Sequence, residues 1–445
     1  MSKDINKERP SVGVVGGGML GLTLALRLTQ AGYRVTVIEA ASNLGGLVSS
    51  WQLGSISWDR YYHVIMLSDL RLRSLLEELA IEALIEWRVT KTNFYTGQDL
   101  YPLNNAWDYI RLPALTLIDK VRLAATIVYG SRIKKGKKLE AISAEKWLTQ
   151  LSGKSTYQNL WRPLLRSKLG SNYSKASAAY IWSVIRRFYA ARRGGMKKEM
   201  FGYVPGGYQK VLSVLEQRAL SEGVTIKTGL RVSSITKGIN ELTVDSKEDS
   251  LKFDRIIDTC ASPIAVDHCK ALSEDEIKAH SQILYQGIIC ASLILTRPLG
   301  KAYLTYITDE TIPFTTIIEM STLVDSAVEF NGKHLVYLPK YLPVDDPLFA
   351  AADEVIEARF IAGLVRMFPD LKRSEILAFK ISRTRHVVAV ATQNYTSKLP
   401  SMATSVPGLY IINSAHIVNA SLSVDETVNL ANTGAEYFLA QEAGV

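Results

Sequence analysis

The sequence predicts an α/β protein: a Rossmann-like, mostly parallel sheet joined to a mixed α+β domain that contains an antiparallel sheet. Three observations support this fold class. Residues 12–39 have the pattern of a nucleotide-binding unit, residues 67–200 have mostly helical periodicity, and residues 263–403 contain several strand-like runs. These runs are 288–295, 303–308, 315–319 and 334–338, and a helix is predicted over 353–368. A chain of 445 residues is long enough for two domains.

Residues 12–39 read as strand, glycine turn, helix, strand and acid, with Glu39 eighteen residues past Gly21. Gly16 permits the tight turn, Gly18 lets a pyrophosphate approach the backbone, and Gly21 lets the helix lie close to the strand. The free N–H groups at the helix start then face the phosphates. Glu39 is placed to bind a ribose diol, and its negative charge argues against NADP.

The residues that follow contain the pair Gly45-Gly46 within the run 40–49. An acid followed by a glycine pair at this spacing resembles the flavoprotein superfamily of amine oxidases, protoporphyrinogen oxidases, phytoene desaturases and UDP-galactopyranose mutases. The pair lies against the pyrophosphate and flavin of FAD in that family, so the resemblance implies FAD. The family usually carries an arginine where this chain has Asn43, which leaves one phosphate contact to come from elsewhere or to be absent.

The resemblance continues, unevenly, towards the C-terminus. The turn at 203–208 and the runs at 224–235 are similar to segments that extend the FAD domain and touch adenine near Val232. Residues 254–261 and 407–415 resemble strands that return to the nucleotide sheet. A helix opening near 423–427 is then expected to direct its N–H groups towards the flavin pyrimidine edge.

The resemblance implies a discontinuous FAD-binding domain made of residues 1–66, 201–262 and 404–445. Residues 67–200 and 263–403 form the substrate, or cap, domain. The family often has a glycine and then an acid where this chain has Asn413 and Ser414, which weakens the expected ribityl and phosphate contacts there. The implied FAD contacts are Gly16, Gly18, Met19, Leu20, Gly21, Glu39, Ala40, Gly45, Gly46, Leu47, Val232, Asn413, Ser414 and Val424.

Candidate catalytic residues lie in Trp58-Asp59-Arg60-Tyr61-Tyr62-His63, which looks like the segment that meets the flavin in relatives. His63 is interpreted as a hydrogen-bond donor or proton shuttle, or alternatively as a packed histidine. Tyr62 and Arg385 are further catalytic candidates. The predicted substrate contacts are Arg60, Tyr337 and Tyr341; strand alternation places the last two on one face and Lys340 on the other. Arg162 and Arg166 are either anion ligands or helix surface.

The net charge of +9 is unevenly distributed. Residues 111–198 hold 20 Lys and Arg against three acids, a balance of +17, so the remainder carries 9 − 17 = −8. Aromatic and aliphatic residues lie among these charges, which favours contact with an anionic membrane surface over a purely substrate-directed role. A solvated basic face is the alternative. No nucleic-acid-binding motif is present, so no nucleic-acid partner is expected.

Three cysteines at 260, 269 and 290 and six histidines form no metal-ligand pattern, so no metal site is expected. The polar N-terminus does not read as a secretory signal, and the cysteine content favours a cytoplasmic location with peripheral membrane contact.

Three functions follow from the resemblance. The first is an FAD oxidoreductase that removes hydride from a large, anionic or lipophilic small molecule. The second is a sugar-nucleotide mutase like UDP-galactopyranose mutase, which uses reduced flavin. The third is a lipid-binding carrier like the Rab GDP-dissociation inhibitors. The complete glycine series with Glu39 favours an enzyme over the carrier. The FAD oxidoreductase is preferred, with the mutase as the alternative.

Overall fold

The computed structural model describes residues 9–104, 106–192, 200–418 and 420–444, and one of its two main sheets is five-stranded and fully parallel. All three segments of the predicted nucleotide domain contribute to it. In spatial order its strands are β10 (Thr225–Lys227), β2 (Arg34–Ile38), β1 (Ser11–Val15), β14 (Arg255–Asp258) and β20 (Leu409–Ile411).

Both faces of this sheet are covered, which explains why residues 12–15 of the central strand β1 are all valine or glycine. On one face, Val12 and Val14 pack with helices α1 (Met19–Gln30), α9 (Gly207–Ser221) and α15 (Val424–Ala443). On the other face, Val15 packs with the antiparallel sheet of β11 (Ser234–Lys237), β12 (Leu242–Asp245) and β13 (Ser250–Phe253). The parallel sheet is therefore the middle of three layers.

The second main sheet has seven strands, antiparallel except where β16 pairs with β7. Its spatial order is β19 (Ile376–Ala389), β15 (Tyr285–Leu295), β18 (His334–Pro343), β17 (Thr316–Glu319), β16 (Leu304–Ile307), β7 (Thr92–Thr96) and β8 (Asp99–Pro102). The fully buried strand β15 lies between β19 and β18, which are the other two long strands of this sheet. One face of β15 packs on α13 (Asp353–Met367), and the opposite face looks towards residues 53–66.

Smaller strands connect the two domains. They are β3 (Ser50–Leu53) paired with β4 (Ile56–Asp59), and β9 (Met200–Tyr203) lying between β5 (Ile65–Met66) and β6 (Glu86–Val89).

The first insertion supplies most of the remaining helices, and its core is built from Leu112, Leu123, Trp147, Leu160 and Trp182. The helices not yet given are α2 (Leu70–Glu78), α3 (Ala106–Arg111), α4 (Leu117–Arg132), α5 (Ala144–Ser152), α6 (Lys154–Thr156), α7 (Arg162–Leu169), α8 (Ala178–Arg192), α10 (Ser262–His268), α11 (Glu274–Ser281), α12 (Ser326–Glu329) and α14 (Tyr395–Lys398). Across the described ranges, no helix is both long and apolar enough to cross a membrane.

The fold class predicted from the sequence is confirmed, with two differences in the cap. The first insertion is not only helical, because β7 and β8 form a hairpin that joins the cap sheet. The 14-residue strand β19 was not predicted at all, although Arg383 and Arg385 lie on it.

Candidate active site

The glycine turn between β1 and α1 has the backbone that its sequence predicts. Gly16 has φ +106°, a left-handed conformation that favours glycine. A Cβ at Gly21 would lie 1.9 Å from the carbonyl oxygen of Gly16, so no other residue fits where α1 passes the turn. Gly18 is the N-cap of α1, and with no side chain there the helix start stays uncovered. The N–H groups of the first turn are therefore free to bind an anion.

The pair Gly45-Gly46 lies directly against this turn. The N–H of Gly45 donates to the carbonyl of Gly17 at 2.9 Å, and both residues of the pair have positive φ, +118° and +54°. A Cβ on Gly46 would lie 3.6 Å from the Cα of Gly18. Two backbone segments without side chains thus form a cradle at the positive end of α1, which is the surface a pyrophosphate requires.

Glu39 lies at the carboxyl end of β2 with its carboxylate fixed by backbone donors. One oxygen accepts from the N–H of Gly17 at 2.7 Å, and the other accepts from the N–H of Ala41 at 2.8 Å. Each carboxylate oxygen has a second lone pair, so Glu39 keeps the capacity to accept from a ribose diol.

The remaining implied FAD contacts are not equally accessible. Ala40 is exposed, Leu47, Ser414 and Val424 are half-buried, and Val232 is 7% exposed. Asn413 is fully buried: its amide donates to the carbonyl of Cys260 at 2.8 Å and accepts from the N–H of Ala415 at 3.0 Å. Because it has no accessible surface, the structure corrects Asn413 from a cofactor contact to a residue that shapes the loop.

The N-terminus of α15 is fixed by its own cap and by contacts with α2. Ser423 caps it by accepting from the N–H of Glu426 at 3.2 Å. Asp425 accepts from the N–H groups of Arg71 and Leu72 at 2.8 and 2.9 Å, which joins α15 to the start of α2.

His63 is held in one tautomer. Its Nδ1 lies 3.0 Å from the carbonyl oxygen of Tyr61, an atom that only accepts, so a neutral ring carries its proton on Nδ1. Burial lowers the pKa of His63 to about 4, so the ring is neutral at physiological pH. Nε2 is then an acceptor, which corrects the expectation that His63 donates. The ring packs edge-on to Tyr208 of α9, with 5.2 Å between centroids.

Tyr62 points the other way, towards the cap. Its hydroxyl oxygen lies 3.0 Å from that of Tyr341 on β18 and accepts from Nζ of Lys168 on α7 at 2.8 Å. The Lys168 ammonium also lies 5.2 and 4.9 Å from the ring centroids of Tyr62 and Tyr341. All three side chains are half-buried, and burial raises the pKa of both tyrosines. We call this set the tyrosine–lysine cluster.

Lys168 was missed by the sequence analysis, which singled out Arg162 and Arg166 on the same helix. Arg166 forms an ion pair with Glu310 at the surface, so it is not directed at the cluster. The available signal was the helical register of residues 162–169. It places Lys168 on a different face from Arg162 and Arg166, but it does not tell which face meets β18.

Tyr337 and Arg385 do not belong to this cluster. Tyr337 is fully buried behind Tyr62, with ring centroids 6.2 Å apart, and its hydroxyl donates to the carbonyl of Asp59 at 2.6 Å. Arg385 is exposed, lies over the ring of Phe349 at 4.8 Å and donates to the carbonyl of Val344. The structure therefore corrects Tyr337 to a supporting residue and Arg385 to a surface cation.

Arg60 remains close to the segment that meets the cap. Its guanidinium lies 5.4 Å from the ring centroid of Trp51, and Lys380 lies 4.6 Å from the same ring. The Nε atom of Arg60 is buried without a hydrogen-bond partner among the described residues.

No metal site was expected, yet Asp258, Cys260 and His268 lie within 4.8 Å of one another. Their polar atoms already satisfy each other. Asp258 accepts from Nδ1 of His268 at 2.7 Å and from the N–H of Cys260 at 2.9 Å.

The glycine cradle and the fixed acid on the second strand of the parallel sheet have the geometry of a dinucleotide-binding protein. The chain matches the family profile described as flavin containing amine oxidoreductase over residues 20–428, and it belongs to that family. Its own residues fit FAD, because the uncovered start of α1 accommodates the pyrophosphate and Glu39 the ribose.

Sequence relatives include the 4,4'-diaponeurosporene oxygenases of two staphylococci. The protein from Staphylococcus haemolyticus strain JCSC1435 is 26% identical over 269 residues, which are 52% of this chain and 50% of that protein. The protein from Staphylococcus aureus strain USA300 is 25% identical over 255 residues, 50% of this chain and 49% of that protein. The chain thus spans about half the length of the curated relatives it matches.

Solved structures share the fold over nearly the whole chain. An oxidoreductase from Methanosarcina mazei superposes with a TM-score of 0.76 at 18% identity, covering 96% of this chain and 100% of that one. A reduced UDP-galactopyranose mutase gives 0.75 at 16% identity, covering 97% and 96%. At these identities the likeness concerns the fold alone.

Proposed function

We propose that this enzyme removes hydride from a large, lipophilic substrate that carries an electron-rich oxygen group, such as a carbonyl, hydroxyl or carboxylate. The observation that carries the proposal is the tyrosine–lysine cluster. When bound, FAD would supply the acceptor for the hydride. The chain's own residues orient the substrate, and Lys168 offers N–H donors that a substrate oxygen accepts.

The cluster disfavours amine substrates. Two facing tyrosine rings attract a cation, and here Lys168 already occupies that position at 4.9 and 5.2 Å. A second ammonium about 5 Å from Lys168 is repelled by about 3 kcal/mol at an effective dielectric constant of about 20. An oxygen acceptor meets the opposite sign of interaction.

The lipophilic part of the proposal comes from the surroundings of the cluster. Residues 53–66 and the inner face of the cap sheet form a continuous apolar core that includes Tyr61, Ile288, Cys290 and Ile318. The staphylococcal relatives are named as oxygenases of 4,4'-diaponeurosporene, which agrees with an apolar substrate for this chain.

Flavin reduction without oxygen tests the substrate class directly. Purified holoenzyme is mixed anaerobically with polyenes that carry terminal oxygen groups, porphyrinogens, polyamines and UDP-galactopyranose, and flavin absorbance is followed. Bleaching by an oxygen-bearing lipophilic compound is the expected result. Bleaching by polyamines alone contradicts the proposal, and conversion of UDP-galactopyranose without net electron flow identifies a mutase instead.

A pair of lysine variants sharpens this test. Lys168→Met removes the cation but keeps the length of the side chain, whereas Lys175→Met removes an exposed cation from the same insertion. We expect Lys168→Met to raise KM for the oxygen-bearing substrate about tenfold to a hundredfold, since a hydrogen bond to a charged group contributes about 1.5–3 kcal/mol. It should also begin to admit amines. Equal effects of the two variants would contradict the role of Lys168.

A further inference from the structure

We propose that the outer face of α4 docks the enzyme on an anionic lipid bilayer, lying in the plane of the headgroups. This inference rests on the proposed function in one respect, because a lipophilic substrate is stored in such a bilayer. The observations that support it concern α4 and are independent of the tyrosine–lysine cluster.

The exposed side of α4 is almost entirely apolar. Leu117, Ile118 and Val121 are 70%, 67% and 70% exposed, and Val128 and Tyr129 are 38% and 53% exposed. Ala124 and Ala125 are exposed between them. At 3.6 residues per turn these seven side chains form one stripe along the helix. Trp107 of the neighbouring α3 adds a further 70% exposed aromatic side chain.

The only acid of α4 is turned away from this stripe. Asp119 is 5% exposed and is held by three hydroxyl groups, of Thr116 at 2.8 Å, Ser155 at 2.9 Å and Thr156 at 3.1 Å. The capping box at the start of α4 therefore removes a negative charge from the surface as well as starting the helix.

Cations surround the apolar stripe. The exposed ones are Arg111, Arg122, Arg132, Lys134, Lys135, Lys137 and Lys138, and residues 111–138 contain no acid besides Asp119. An apolar face bordered by Lys and Arg fits a bilayer surface with anionic headgroups, which attract the cations while the apolar side chains enter the acyl boundary. This charge pattern selects an anionic bilayer over a second copy of α4, since two such faces repel each other.

Residues 193–198 of the predicted basic region 111–198 lie outside the described residues. The proposed docking surface consists of residues 107–138 alone.

Vesicle sedimentation tests the docking surface. Holoenzyme is spun with vesicles of phosphatidylcholine alone and with vesicles of equal parts phosphatidylcholine and phosphatidylglycerol, at low and high salt. We expect binding to the anionic vesicles that weakens as salt rises. If the enzyme does not bind the anionic vesicles, the proposal is overturned.

Three matched variants locate the surface. Val121→Glu places a charge in the centre of the stripe, and we expect it to lower vesicle partitioning at least tenfold. Ile239→Glu makes a similar change at a 96% exposed site on the turn between β11 and β12 and should leave partitioning unchanged. Lys135→Gln tests the cationic border and should weaken binding only to anionic vesicles. Equal losses in Val121→Glu and Ile239→Glu overturn the proposal.

Two further measurements separate this proposal from its alternatives. Sedimentation velocity reports whether Val121→Glu dissolves a dimer; a dimer lost without any vesicle binding makes α4 a self-association surface and overturns the proposal. Flavin bleaching by detergent-solubilised substrate reports the chemistry alone. Vesicle binding without flavin bleaching contradicts the proposed function but still supports the docking surface.

Discussion

At the scale of single residues, Asp59 connects the two domains. Its carboxylate accepts from the N–H of Tyr208 at 2.9 Å at the start of α9, and its carbonyl accepts from the hydroxyl of Tyr337 on the cap sheet at 2.6 Å. The side chain has no cation partner in the contacts of the described residues. Burial therefore raises the pKa of Asp59 to about 8, against a usual value of about 3.9.

This raised pKa predicts a pH-dependent stability. Asp59 binds its proton more tightly in the folded state, so its stabilising contribution is complete below about pH 4 and is lost as pH rises towards 8. We expect this group to lower Tm as pH rises from 5.5 to 7.5, by at most about 1.4 kcal/mol per pH unit, which is the difference in slope between the original chain and Asp59→Asn. Asp59→Asn should remove that part of the slope.

Thermal unfolding of both proteins across this pH range measures the effect. Asp267→Asn, at an exposed carboxylate, is the control and should keep the slope of the original chain. Glu319 also has a raised pKa, about 7, but it contributes equally to all three proteins and cancels in the difference. Parallel slopes for Asp59→Asn and the original chain would contradict the assignment.

Residues that act through local sequence were predictable, and residues that act through distant contacts were not. Gly16, Gly21 and Glu39 have fixed roles within one strand–helix–strand unit, and the structure gives them the predicted geometry. Lys168 meets Tyr62 across 106 residues of sequence, so no local pattern reports the contact.

At the scale of elements, the start of α1 is limited by the closeness of its backbone to β1. The hypothetical Cβ of Gly21, 1.9 Å from the carbonyl oxygen of Gly16, has backbone as its neighbour rather than a flexible side chain. Relief of such a clash must displace the helix start or the glycine turn. Both of these form the pyrophosphate cradle.

We therefore expect Gly21→Ala to purify with little FAD. Gly300→Ala is the matched control, since Gly300 has ordinary φ and its Cβ would meet open space. The FAD-to-protein ratio from absorbance, with circular dichroism to confirm folding, measures the result. A folded Gly21→Ala protein with full FAD content would contradict the cradle geometry.

Elements with strong local patterns were found, and edge elements were not. Helix α13 was predicted at 353–368 and is observed at 353–367, and strands β15, β16, β17 and β18 overlap their predicted runs. The hairpin of β7 and β8 turns at Gly97 and Gln98, both with positive φ, and Gln is an unusual residue in that conformation. Strand β19 lies at a sheet edge, and its central residues 380–386 are mostly charged or polar without a regular apolar alternation, which resembles loop composition.

At the scale of the whole molecule, the chain crosses between its domains several times, and side-chain contacts join them. The hydroxyl groups of Tyr61 and Thr384 lie 2.6 Å apart, and the hydroxyl of Tyr62 accepts from Nζ of Lys168 at 2.8 Å. The discontinuous domain predicted from the resemblance thus has physical consequences: a change in the nucleotide domain reaches the cap through buried hydrogen bonds.

Such connections predict that FAD stabilises the whole protein. A ligand that binds only the folded state adds RT ln(1 + [L]/Kd), about 2.7 kcal/mol at a hundredfold excess over Kd. Apoprotein prepared by removal of FAD should therefore gain several degrees in Tm when FAD is added, in a single transition that covers both domains.

Glu39→Gln keeps the side-chain shape but removes the charge that binds the ribose diol, so the gain at a given FAD concentration should shrink. Glu145→Gln, at an exposed acid in the cap, should behave like the original chain. A shift that is the same in all three proteins would show that Glu39 does not hold the adenosine half, and no shift in any of them would contradict FAD binding by the glycine cradle.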